Sequence, residues 1–298
     1  MRANNAVDLI GPEQLPNSSR TSPEVQEKLS WVAPSGPLGR LTAAAAQRAE
    51  ALQRRLPELR DRARDQPTPP SFAAALRSGT TVSVIAELKR RSPSKGTLNA
   101  ELRAAERAQE YAGGGARALS VLTEPSEFGG AIDDLREVAG VVQVPLLRKD
   151  FHVAEVQVWE ARAFGAAAIL FIARALAPDR LRALVEAAHE AGLETLVEIR
   201  TEAELERALS TPSGVIGVNA RDLETLDIEP WVTARLLPQL PGGVVRVAES
   251  GMTLPDDVSR AAALGADAVL IGSSLSSSGD PRAALRGLCA IPRGTHVG

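Results

Sequence analysis

Residues 82–96 read VSVIAELKRRSPSKG, an apolar, β-branched run that ends in ionisable side chains and a basic, glycine-closed loop. Successive side chains of a strand point to opposite faces. Val82, Val84, Ala86 and Leu88 therefore share one face, suited to packing under helices, while Ile85, Glu87 and Lys89 share the other. Short apolar runs of this kind recur at 118–123, 144–149, 167–172, 194–199, 214–219, 245–250 and 267–272. Amphipathic stretches fill the gaps, near 101–112, 131–140, 154–164, 178–191, 201–210, 229–237, 254–264 and 281–289. Strands that alternate with helices are parallel, joined by helical crossovers.

A repeated unit is also legible in GARAL (115–119), GAAAI (165–169) and GADAV (265–269), each placed between a helix and a strand. Glycine suits the left-handed residue that ends a helix. Eight strand–helix units without a G-x-G-x-x-G loop after the first strand favour a closed (βα)8 barrel, the TIM-barrel form of the α/β class, over an open doubly wound sheet.

Upstream, Leu41, Ala45, Ala49, Leu52 and Leu56 recur at helical steps, with Pro57 placed to divide that stretch in two. Residues 66–70, QPTPP, form a stop, and 71–78 a further short helix. The expected organisation is a flexible or loosely docked extension over 1–36, helices packing on the barrel over 37–80, and the barrel itself as catalytic domain over 81–292.

The 298 residues are 44% hydrophobic and 24% charged, with aromatics at 3%, so Leu, Val, Ile and Ala must build the core. A net charge of −3 gives no electrostatic case for nucleic acid or an anionic membrane. No stretch approaches the roughly 18 apolar residues of a membrane span, and the N-terminus lacks a signal-peptide pattern. One cysteine, Cys289, excludes an intrachain disulfide and suits a reducing cytoplasm. His152, His189 and His296 are scattered and make no metal constellation; His152 lies near the strand ends as a supporting or surface group, His189 on an exposed helix face and His296 in the tail.

Of the 34 basic residues only Lys28, Lys89, Lys95 and Lys149 are lysines. An ammonium can give up its proton, whereas a guanidinium effectively cannot. The surviving lysines thus mark positions where arginine will not serve, and two of them end strands. In a (βα)8 barrel the C-terminal strand ends form the site. Here those ends carry Glu87 and Lys89, Thr123 and Glu124, Lys149 and Asp150, Glu198, Asn219 and Arg221, Glu249 and Ser250, and Gly272 and Ser273. The fourth, Ile172-Ala173, is the exception. Ser250-Gly251 and Gly272-Ser273-Ser274 follow the seventh and eighth strands, where barrels often bind phosphate on loop N–H groups. Phe128 and Phe151 follow the second and third strands, either as loop packing or as an apolar wall for an aromatic substrate.

The motifs IAELKRRSPSKG (85–96), LSVLTE (119–124), LRKDF (147–151), GVNARDL (217–223), AESG (248–251) and LIGS (270–273) together resemble those of the indole-3-glycerol-phosphate synthase family. The resemblance spans about residues 38–290 and departs mainly in its Ala-rich N-terminal region. It implies a cofactor-free, metal-free lyase of tryptophan biosynthesis. The reaction is ring closure, decarboxylation and dehydration of 1-(2-carboxyphenylamino)-1-deoxyribulose 5-phosphate, a small phosphorylated aromatic substrate. It implies Lys149 as the acid for closure, Glu198 and Glu87 as bases or ion-pair partners, and Lys89 as carboxylate anchor or second acid. Asn219 and Ser250 would position the substrate, and Ser92, Arg221, Phe128, Phe151, Gly251, Gly272 and Ser273 would bind it. Which lysine serves each step depends on geometry, because neighbouring lysines depress one another's pKa while the glutamates raise it. A monomer is expected, with contacts to other pathway enzymes left open. Two alternatives are a phosphoribosylanthranilate-type barrel isomerase, which would favour a Cys/Asp or Asp/Asp pair where strand ends 1 and 6 carry Lys and Asn, and a non-catalytic barrel binding a phosphorylated metabolite.

Overall fold

In a computed structural model, the chain is described from residue 31 to residue 294. Eight parallel strands close into a barrel: β1 (Ser83–Leu88), β2 (Ala118–Leu122), β3 (Leu146–Lys149), β4 (Ala168–Ile172), β5 (Glu194–Ile199), β6 (Val215–Asn219), β7 (Val245–Glu249) and β8 (Ala268–Ile271). Each strand pairs with its sequence neighbours, and β8 returns to β1 through Ser83↔Ala268 to Ala86↔Ile271. The expected alternation is present, and strand ends differ by a residue or two. The largest difference is at β3, which starts at Leu146 because Pro145 has no N–H for the ladder; its carbonyl still accepts from Leu119 N.

Among the described residues three helices precede the barrel: α1 (Gly36–Leu52), α2 (Leu56–Arg64) and α3 (Phe72–Arg77). Pro57 sits in the first turn of α2, after a 3-10 turn at Gln53–Arg55, so the helical stretch divides where the proline allows. Crossover helices follow as α4 (Ala104–Gly113), α5 (Ile132–Ala139), α6 (Glu155–Ala163), α7 (Pro178–Glu190), α8 (Glu202–Leu209), α9 (Pro230–Leu236) and α10 (Pro255–Ala263). A short α11 (Ser273–Ser276) then precedes α12 (Pro281–Leu288).

Strand parity sorts the core as the pattern of β1 requires. Val82, Val84, Ala86 and Leu88 pack in the layer between strands and helices, while Ile85, Leu147, Leu196 and Val247 fill the barrel interior. The N-terminal end of the barrel is plugged by α3, whose Phe72 and Leu76 are fully buried in that interior cluster. Glu194, at the start of β5, accepts the N–H groups of Phe72 and Ala73 at 3.1 and 2.7 Å and so fixes the plug. Phe72→Ala would cost about 3–5 kcal/mol.

Helices α1 and α2 close the outside around α6. Arg60 pairs with Glu155 at 2.6 Å and stacks over Trp159, and Arg62 lies 4.2 Å over the Phe164 ring. The expectation for residues 1–36 lies, up to residue 30, outside the described residues, as does His296. Residues 31–36 cross the loops after β4 and β6. Trp31 Nε1 donates to Arg174 O at 3.1 Å, and Glu224 accepts from Ser35 N and Oγ. Leu38 and Leu41 of α1 then lie over the C-terminal end of the barrel. Among the described residues no helix is long and apolar enough to cross a membrane.

Candidate active site

The C-terminal strand ends enclose a cavity roofed by Leu38 and Leu41. All thirteen residues singled out from the sequence border it: Glu87, Lys89, Ser92, Phe128, Lys149, Phe151, Glu198, Asn219, Arg221, Ser250, Gly251, Gly272 and Ser273.

At its centre, Lys149 projects from the end of β3 between two carboxylates. Its Nζ lies 3.0 Å from Glu198 Oε2 and 3.3 Å from Glu249 Oε2. The other oxygen of Glu198 accepts from Asn219 Nδ2 at 2.8 Å. Burial penalises the Lys149 ammonium, but Glu198, Glu249 and Glu87 outweigh it and hold the group above its ordinary range. Burial and the neighbouring Glu198 push Glu249 up to about 8, against the opposing pull of Lys149. Across the mouth, Lys89 pairs with Glu87 at 2.6 Å.

Glu249 stands at a strand end in the sequence, but neither the motifs nor the resemblance gives it a role. Counting faces along β7 finds it, since Val245 and Val247 fill the interior and Glu249 continues that row. Two glycines make room for the buried acids. A Cβ on Gly217 would stand 2.0 Å from Glu249 Oε1, and one on Gly272 would stand 2.3 Å from Glu87 Oε1. Gly272 thus leaves space for an acid as well as bordering the cavity. Glu249 Oε1 and Glu87 Oε2 are buried without a hydrogen-bond partner among the described residues.

Phe128 and Phe151 stand with centroids 6.5 Å apart, tilted by 38°, and Leu170 and Ile172 extend the apolar side. Both rings border the cavity and also pack against the interior core cluster. On the opposite side, Ser250 and Gly251 have φ of 65° and 76°, two successive left-handed residues that turn the chain after β7. For Ser250 that conformation costs on the order of 1–2 kcal/mol. Gly272 precedes α11, whose Ser274 Oγ is buried and unpartnered among the described residues. The basic loop after β1 folds into a two-rung hairpin, Arg91↔Thr97 and Ser92↔Gly96. Ser92 Oγ accepts from Lys95 N at 3.1 Å there, so it shapes the loop as well as facing the cavity. Arg221 Nη1 donates to Leu226 O at 2.6 Å and orders the loop after β6.

His152 is buried, not a surface group. Its Nδ1–H donates to Leu170 O at 2.8 Å, which extends the β3–β4 contact beyond the last ladder pair, Arg148↔Ile169. Burial, with Arg148 nearby, holds the ring neutral, well below its usual pKa. Among the described residues no group of three His, Cys, Asp or Glu side chains is placed to hold a metal ion.

An ammonium clamped between carboxylates, beside an aromatic wall and facing Ser/Gly loops, defines a (βα)8-barrel enzyme built for acid–base chemistry on a small ring-bearing anion. The family profile of indole-3-glycerol phosphate synthase matches residues 38–288. The indole-3-glycerol phosphate synthase of Mycolicibacterium smegmatis is 48% identical over 81% of this chain and 88% of its own. That of Mycobacterium leprae (strain Br4923) is 47% identical over the same shares, 81% and 88%. Among solved structures, the barrel is similar to thiamine phosphate pyrophosphorylase from Pyrococcus furiosus, with a TM-score of 0.55 at 14% identity over 73% of this chain and 96% of that one. It is also similar to 3-hexulose-6-phosphate synthase from Salmonella typhimurium, with a TM-score of 0.57 at 13% identity over 70% and 97%. The chain belongs to the indole-3-glycerol phosphate synthase family.

Proposed function

We propose that this protein converts 1-(2-carboxyphenylamino)-1-deoxyribulose 5-phosphate into indole-3-glycerol phosphate, carbon dioxide and water. The observation that carries the reading is Lys149 held between Glu198 and Glu249 in a cavity with both an aromatic and a Ser/Gly side. The phosphate is seated on the N–H groups around Gly251, Gly272 and Ser273, and the ring lies against Phe128 and Phe151. Lys89 and Arg221 face the carboxylate.

In the first step the ring carbon bearing the carboxylate bonds to the ketone carbon, drawing on the lone pair of the aryl nitrogen. Lys149 gives a proton to the ketone oxygen as it becomes a hydroxyl. Loss of carbon dioxide returns its bonding electrons to the ring and neutralises the nitrogen. The nitrogen lone pair next expels the new hydroxyl as water, with Lys89 as the acid at the departing oxygen. A base then removes the proton that completes the indole double bond. Glu198 fills that role, 3.0 Å from Nζ of Lys149, and so can return the proton to the acid. Glu87 pairs with Lys89 and passes to it the one proton that the overall reaction takes up from solvent. Asn219 fixes Glu198 and meets the substrate hydroxyls.

Residues 81–292 serve as the catalytic barrel and 37–80 as its covering helices, in a monomer that works in the cytoplasm. The test is to add the substrate to the purified full chain and follow indole fluorescence. Product is expected from the single chain in the presence of a chelator; none at micromolar enzyme overturns the reading.

A further inference from the structure

The aromatic wall is held from outside the cavity. Helix α1 carries Leu41, Ala45 and Arg48 at steps of four and three, so one face of the helix presents all three to the barrel. Leu41 roofs the cavity, and Arg48 lies two turns beyond it, out of the cavity and 30% exposed. Its Nη2 donates to Asp150 Oδ1 at 2.7 Å, and its Nη1 stands 3.6 Å from Glu124 Oε1. Both carboxylates are almost fully buried.

Each of those acids holds the backbone of one wall residue. Asp150 Oδ1 accepts the N–H of Phe151 at 2.7 Å, on the same oxygen that Arg48 reaches. Glu124 Oε2 accepts the N–H groups of Glu127 and Phe128 at 2.8 and 3.2 Å. Arg48 is thus one carboxylate away from the main chain of both phenyl rings. A guanidinium can span two acids with its fork, where an ammonium is a single point charge. Lys149 next door has its own partners, Glu198 and Glu249, and does not depend on this clamp.

We propose that Arg48 is a positioning residue for the aromatic half of the substrate: by bridging Asp150 and Glu124 it sets the spacing of Phe128 and Phe151, so the N-terminal helix governs ring recognition. This rests on the reading of the cavity given above. Asp150 Oδ2 keeps the Thr123 hydroxyl at 2.9 Å and Glu124 Oε1 keeps Ser126, so without Arg48 the strand ends stay tied while the two acids lose their shared cation and the ring-bearing loops shift; the phosphate side, built from the β7 and β8 loops, stays in place.

The experiment compares the full chain with Arg48→Met and Arg48→Lys. Anthranilate serves as a ring-only competitive inhibitor and inorganic phosphate as a phosphate-only one. Arg48→Met is expected to raise KM and weaken anthranilate about tenfold, with kcat within about threefold and phosphate inhibition unchanged. Arg48→Lys, which can meet only one acid, is expected to lose roughly threefold on the same two readouts. Equal weakening of anthranilate and phosphate, or anthranilate inhibition unchanged in a folded Arg48→Met chain, overturns the proposal. A wild-type chain that makes no indole product overturns the functional reading instead, and anthranilate binding still reports on Arg48.

Discussion

Lys149 Nζ stands 3.3 Å from Glu249, a carboxyl that burial pushes up to about 8, so the acid beside this ammonium changes charge near neutral pH. An ammonium held by two ionised carboxylates is a weaker acid than one held by a single carboxylate. While Glu249 is protonated, one of the carboxylates around Lys149 no longer opposes its charge, and Glu198, in direct contact, gives its other oxygen to Asn219. In the proposed role of Lys149, proton transfer to the substrate is then easiest.

The first prediction concerns that carboxyl. Turnover of the wild type falls roughly three- to tenfold between pH 7 and pH 9 as Glu249 ionises, whereas Glu249→Gln, which mimics the protonated form, keeps a flat alkaline side. Stability moves the same way. Between the ordinary 4.5 and about 8 the folded chain holds a proton that the unfolded chain has lost. The contribution is present below 4.5 and lost as pH rises through about 8. Melting midpoints measured across that window should therefore decline more in wild type than in Glu249→Gln.

Gly217 supplies a second prediction. A methyl there meets Glu249 Oε1 at 2.0 Å, with Leu196 Cδ1 at 3.3 Å beside it, so the Glu249 side chain must move. Gly217→Ala should cost about 1–3 kcal/mol by overpacking. It should also remove the alkaline fall in turnover, because Glu249 is driven from Lys149. Denaturant unfolding and a pH–rate profile of the same preparation check both halves.

His152 gives a prediction of opposite sign. Its folded pKa is depressed below 6.5, so its contribution is present above that value and lost as pH falls. Below about 6.5 the unfolded chain takes up a proton that the native ring refuses, a loss of about 1.4 kcal/mol per pH unit. His152→Asn keeps a donor for Leu170 O but cannot titrate, and its unfolding free energy should be less steep than wild type between pH 6.5 and 5. Parallel slopes would show that the ring titrates in the native state.

What was legible in the sequence is what parity and alternation control. The barrel, the inward row of Ile85, Glu87 and Lys89, and the strand-end places of Glu198 and Asn219 follow from a period of two and a strand–helix repeat. What stayed hidden depends on side chains meeting across the fold. Arg48 and Asp150 are 102 residues apart, and nothing in the pattern of α1 announces the pairing. Gly217 reads as an ordinary strand glycine and Gly272 as a phosphate-loop glycine, and the room they make shows only when the acids on the neighbouring strands are in view. The hairpin after β1 has two residues on each side, too few for a periodic signal. His152 looked peripheral because the carbonyl it meets lies on the next strand.

The most direct test of Lys149 as proton donor is the steady-state turnover of Lys149→Arg at pH 7. A guanidinium keeps the positive charge for Glu198 and Glu249 but does not release a proton. With Lys149 as the acid for ring closure, kcat falls by at least about 100-fold while inorganic phosphate still inhibits at wild-type concentrations. Turnover near wild type would contradict the assignment and leave Lys149 as an electrostatic clamp.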